Sequence, residues 1–141
     1  MRILSSITLV CVLGFSSFGM ADEISDLTAK AEAGDASAQY SLGMMYATGE
    51  GVPQNYQQAV YWWQKAAERG KAAAQFDLGV MYANGEGVTQ DFVQAHKWWN
   101  IASTNGHQKA REYRGSLANE MTPGQITEAQ RLAKEWMAAH K

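Results

Sequence analysis

The sequence predicts an all-α protein, a short right-handed α/α solenoid of antiparallel helix pairs with a capping helix at each end. Three observations carry this. Residues return every 36 positions: Ala38 and Ala74, Gln39 and Gln75, Leu42 and Leu78, Gly43 and Gly79, Tyr46 and Tyr82, Val52 and Val88, Trp62-Trp63 and Trp98-Trp99. A fixed period of this length marks one supersecondary unit stacked on copies of itself. Glycines and cap residues punctuate each unit at constant places. Hydrophobic content of 46% with 18% charged residues belongs to a globular chain, and only two prolines interrupt an alanine-rich, helix-favouring composition.

The 141 residues divide as follows. Residues 1–21 read as a secretory signal peptide: Met1-Arg2 is a positive start, Ile3 to Phe18 an apolar run, and Gly19-Met20-Ala21 a small-residue cleavage site, so cleavage is predicted after Ala21. The run is shorter than the ~20 residues that span a bilayer, so no stable membrane span is expected after cleavage. Cys11 leaves with the leader, and Thr8-Leu9-Val10 lacks the small residue that a lipoprotein site places before its cysteine. The mature chain then has no cysteine and 11 basic against 14 acidic side chains, a net of −3. That balance argues against a nucleic-acid surface. The expected location is periplasmic or secreted.

Residues 22–33 read as an N-terminal capping helix, with Ile24, Leu27 and Ala31 on one face. Repeat one covers 34–69. Its first helix starts at the N-cap Asp35 and stops at Gly49-Glu50-Gly51, where glycine supplies the positive φ of a helix end. Asn55 with Gln58 opens the second helix in a capping-box pattern. Repeat two, 70–105, has the same layout, with Asp91 and Gln94 as cap and partner. Residues 106–141 form a degenerate repeat and C-terminal cap. Arg111 and Arg114 replace the glutamine and leucine of the earlier copies. Thr122-Pro123-Gly124-Gln125 is a strong helix start, and Ala133 to Trp136 repeats the Ala-x-x-Trp spacing with a shift of two, which predicts a third loop about two residues longer.

The pattern Gly34, Ala38-Gln39, Leu42-Gly43, Tyr46, Gly49-x-Gly51-Val52, Asn55, Ala59, Trp62, Ala66-Ala67, Gly70 resembles the Sel-one-like repeat, a relative of the tetratricopeptide repeat, in the form found in small secreted bacterial members. The second copy matches as fully, and the resemblance runs from about Gly34 to His140. It implies a non-catalytic scaffold or adaptor that binds a protein or peptide. A cysteine-rich branch of the family is associated with β-lactam binding or hydrolysis, or with cell-wall ligands. This chain lacks the paired cysteines of that branch, and turnover of a chromogenic β-lactam separates the two readings.

No catalytic, cofactor or metal constellation emerges from the residues. His96, His107 and His140 make no ligand spacing and are expected at the surface. Gly-Glu-Gly lacks the lysine-serine of a phosphate loop. Trp62, Trp63, Trp98 and Trp99 are read as packing between repeats rather than as a ligand platform. By analogy with tetratricopeptide geometry, the first helix of each pair lines the concave side. There Tyr40, Met44, Phe76 and Val80 form an apolar patch, and Lys109 and Glu112 follow in the third unit; these six are the candidate partner-binding residues. Tyr40 and Phe76 have a second reading, that they recur because they pack against adjacent helices.

Overall fold

The computed structural model describes residues 19–141. The predicted leader lies outside the described residues except for positions 19–21, which are helical. They run unbroken into a helix over 19–32, α1, that extends further toward the N-terminus than expected. Six more helices follow: α2 (Ala36–Thr48), α3 (Tyr56–Glu68), α4 (Ala72–Asn84), α5 (Phe92–Thr104), α6 (Gln108–Ala118) and α7 (Pro123–Ala139). Among the described residues there is no strand, and the molecule is an all-α helical solenoid.

Helix ends follow the sequence punctuation. Asp35 accepts from the backbone N–H of Ala38, Asn55 from Gln58 and Asp91 from Gln94. At Thr122 the capping box is complete, with Gln125 answering back to the Thr122 N–H. At Asn55 and Asp91 only the first half forms, so the glutamine three residues on does not close a box there. Gly49 and Gly85 end α2 and α4 in the left-handed region at φ 77° and 70°, which glycine adopts without steric penalty.

The two tryptophans of each pair do different jobs. Trp62 packs back onto α1 and α2 with Ala31, Ala38 and Leu42. Trp98, 36 residues on, is 1% exposed and packs in the central core with Ala74, Leu78 and, from α7, Ala133. Trp63 and Trp99 lie over glycines. A Cβ on Gly43 would stand 2.3 Å from the Trp63 ring, and one on Gly79 2.3 Å from the Trp99 ring. The indoles close this contact by donating to the carbonyls of Tyr40 (3.3 Å) and Phe76 (3.0 Å). The glycine is the seat and the indole fills it, which is why both recur together.

The glutamines join one unit to the next. Gln39 Nε2 donates to the Ala31 carbonyl, and Gln75 Nε2 to that of Ala67, each at the last turn of the preceding helix. Arg111 holds the same place in α6 and is exposed, so this tie is lost where the repeat degenerates.

The third unit departs from the expected hairpin. Its linker, residues 119–122, is shorter than those over 49–55 and 85–91, not longer. The two-residue register shift is absorbed by α7, 17 residues long against 11 in α6. Both α6 and α7 pack on α5, and they barely touch each other. Trp136 fixes α7 from the other side: its ring meets Trp98 edge-on at 5.7 Å, and its Nε1 donates to Glu68 at 2.9 Å.

The histidines are not all at the surface. His140 is exposed, stacked on Trp136. His107 is half-buried; its Nδ1 accepts from the Ala110 N–H and so caps α6. His96 is 3% exposed. It occupies the place of the buried Val60 in the preceding repeat, and that equivalence overrides the usual preference of histidine for the surface.

Candidate interaction surface

The first helices of the repeats, α2, α4 and α6, carry the six candidate residues. Tyr40, Phe76 and Val80 are half-buried, whereas Met44, Lys109 and Glu112 are exposed. Tyr40 leans on Trp63 at 6.4 Å between ring centroids and lies beneath Lys71 Nζ at 5.5 Å. Phe76 sits among three rings: His107 stacked at 4.5 Å, Tyr113 at 5.2 Å and Trp99 at 6.4 Å. Val80 packs against the core formed by α5, α6 and α7. Tyr40 and Phe76 thus contribute to packing and to the surface together. Met44, one helical turn from Tyr40, is 39% exposed, and Tyr113 beside Phe76 is 44% exposed. Neither Lys109 nor Glu112 forms an ion pair among the described residues.

Sequence reasoning passed over Asp77 and Lys71, read His107 only as a surface side chain, and did not place Tyr113 on this face. Asp77, half-buried, stands where repeat one has Ser41, and an acid in the middle of an apolar helix was the available signal. Burial raises the Asp77 carboxyl above its ordinary value, while the Tyr40 hydroxyl and His107 pull it back. Tyr40 is pushed up to about 12, by burial first and then by the charge of Asp77. The three side chains Tyr40, Asp77 and His107 therefore form a polar line from α2 to the start of α6. With Nδ1 of His107 accepting at the cap, its proton in the neutral ring is on Nε2.

A raised phenol pKa contributes stability fully present below the unfolded value of 10.0 and lost as pH rises through about 12. In a phenolate-absorbance titration Tyr40 is expected to ionise last of the six tyrosines. Asp77→Asn should move that transition down but not to the ordinary value, because burial is the larger cause. A wild-type titration in which all tyrosines ionise together would contradict the placement of Tyr40.

Among the described residues no group of three or more His, Cys, Asp or Glu side chains is arranged to hold a metal ion, and no helix is long and apolar enough to cross a membrane. This face carries the rings of Tyr40, Phe76 and Tyr113, the Met44 thioether and a half-buried acid, Asp77.

Paired helices stacked at a 36-residue period, with the indole of one helix seated on the glycine of its partner, define the class: a helical-hairpin repeat protein. The family model for the Sel1 repeat matches residues 36–71 and 72–107, and the chain belongs to that family. Among solved structures, a protective antigen present in uropathogenic Escherichia coli strains and displaying an SLR fold is 36% identical, with a TM-score of 0.78 over 82% of this chain and 25% of its own. A Sel1 repeat protein from Oxalobacter formigenes is 41% identical, with a TM-score of 0.63 over 64% of this chain and 26% of its own. The chain spans about a quarter of the length of these two relatives. No functionally curated protein matches it.

Proposed function

We propose that the chain is a non-catalytic protein–protein interaction module, exported to the bacterial envelope, that takes a peptide or protein on the face formed by α2, α4 and α6. The observation that carries this reading is the pair of exposed apolar side chains, Met44 and Tyr113, flanking the half-buried Tyr40 and Phe76. Apolar groups left accessible beside rigid aromatic anchors suit a partner's side chains. Membership of a repeat family whose members serve as scaffolds points the same way. The leader pattern of residues 1–21 supports export.

Phe76 packs against too many rings to be a clean probe, so the test uses exposed positions. Met44→Glu combined with Glu112→Lys should weaken partner binding by ~30-fold, the size of a lost hot spot. The melt should hold, since such surface changes stay within ~0.5 kcal/mol. Unchanged binding would remove this face from consideration. For export, protein recovered from the envelope fraction should begin at Asp22; a chain that still begins at Met1 in the cytosol would contradict it.

A further inference from the structure

Glycine recurs at the same register three times, at Gly43, Gly79 and Gly115. The first two are seats filled by Trp63 and Trp99. At Gly115 a Cβ would meet nothing within 4 Å. The residue of α7 that answers to Trp99, after the shift of two, is Met137, and α7 stands away from α6. A cleft of about 510 Å³ opens between the two helices on the floor of α5, lined among others by Gly115, Met137, His96, Asn100, Arg114 and Lys134. It is the place where the third repeat would have seated its own indole.

The charges of this cleft have one sign. Arg114 Nη1 donates to Asn100 Oδ1 at 2.8 Å, and neither Arg114 nor Lys134 pairs with an acid among the described residues. No acidic side chain lines the cleft. His96 on its floor is buried and its Nδ1 has no hydrogen-bond partner. Burial, and next the charge of Arg114, hold that imidazole below its ordinary pKa. It is therefore uncharged at neutral pH, and the arginine and lysine set the potential. A guanidinium at the rim both stacks on an aromatic face and forks onto a carboxylate.

We propose that the cleft between α6 and α7 is a binding site for an aromatic ring carrying a carboxylate, the ring seated on Gly115 and the anion met by Arg114 and Lys134. Two sources share that chemistry, a free aromatic acid and the C-terminal aromatic residue of a polypeptide. The seats in the earlier repeats set the size of the ring as that of an indole. Their indoles donate to the carbonyls of Tyr40 and Phe76, and the corresponding backbone position on α6 is Glu112.

Calorimetric titration of the full chain with indole-3-acetate, with neutral indole, and with a short peptide ending in tryptophan as its free acid and as its amide tests this. Binding of indole-3-acetate or the free-acid peptide, each at least tenfold tighter than its uncharged counterpart, supports the proposal; which of the two binds more tightly identifies the source. Arg114→Gln with Lys134→Gln should weaken that binding at least tenfold. Gly115→Leu should abolish it by filling the seat, while the melt is kept or raised because the residue faces open space on a helix. No binding by either acid, equal binding of the uncharged counterparts, or undiminished binding by a folded Gly115→Leu protein would overturn the assignment.

Discussion

Trp98→Ala is expected to lower the unfolding free energy by ~3–5 kcal/mol, the usual effect of truncating a buried tryptophan. Trp98 is 1% exposed and holds together helices from three parts of the chain: α3, α4 and α7 face it in one core. A small domain has only ~5–15 kcal/mol in total, so the variant should be partly unfolded near physiological temperature. The equivalent Trp62 is 7% exposed and packs in a smaller core cluster with α1 and α2. Its truncation should fall at the lower end of the range. Thermal melts followed by circular dichroism decide this, and a Trp98→Ala melt equal to wild type would contradict a core built by repeat stacking.

The second large effect runs against helix propensity. Replacing a mid-helix glycine by alanine ordinarily stabilises by ~1 kcal/mol. At Gly79 the new methyl would stand 2.3 Å from the indole of Trp99. The ring is held in place by its hydrogen bond to the Phe76 carbonyl and by the edge of Tyr113 at 5.5 Å between centroids, so it cannot swing aside cheaply. Gly79→Ala is therefore expected to destabilise by ~2–3 kcal/mol, as overpacked cores do. Gly43→Ala, against Trp63, should behave alike, and Gly115→Ala should show the ordinary gain. Chemical denaturation of the three variants gives the signs directly.

The order of these effects shows which parts of the molecule were legible beforehand. Period, caps and glycine stops are local signals, and Asp35, Asn55, Asp91, Thr122, Gly49 and Gly85 all do in the fold what their residue types suggest. The face of α1 was equally plain: Ala31 is buried, Leu27 packs on α2 and α3, and Ile24 approaches the loop at Gly51. Tertiary consequences were harder to read. His96 looked like a surface histidine because base rates outweighed its equivalence to Val60. The third linker looked longer because the register shift was assigned to the loop, and nothing local showed that α7 would lengthen instead. Gly115 stood in register with Gly43 and Gly79, but a seat has meaning only when its occupant is traced, and the missing indole lies on another helix. On the candidate face, the half-burial of Tyr40 and Phe76 follows from Trp63, Trp99 and His107 arriving from other helices, which spacing along one helix does not reveal. Lys109 and Glu112 share that face by analogy alone; among the described residues no hydrogen bond, ion pair or ring contact ties them to Tyr40 or Phe76.

These observations reduce to one physical statement: what returns every 36 residues is a lock between an indole and a glycine, and the proposed recognition falls to side chains outside that lock. A double-mutant cycle on Gly79 and Trp99 measures that lock. In a Trp99→Leu background the ring is gone, so Gly79→Ala should lose its penalty and approach the ordinary stabilising effect, a coupling of ~2 kcal/mol or more between the two sites. A Gly79→Ala change that costs the same with and without the Trp99 indole would show that the recurrence has another cause.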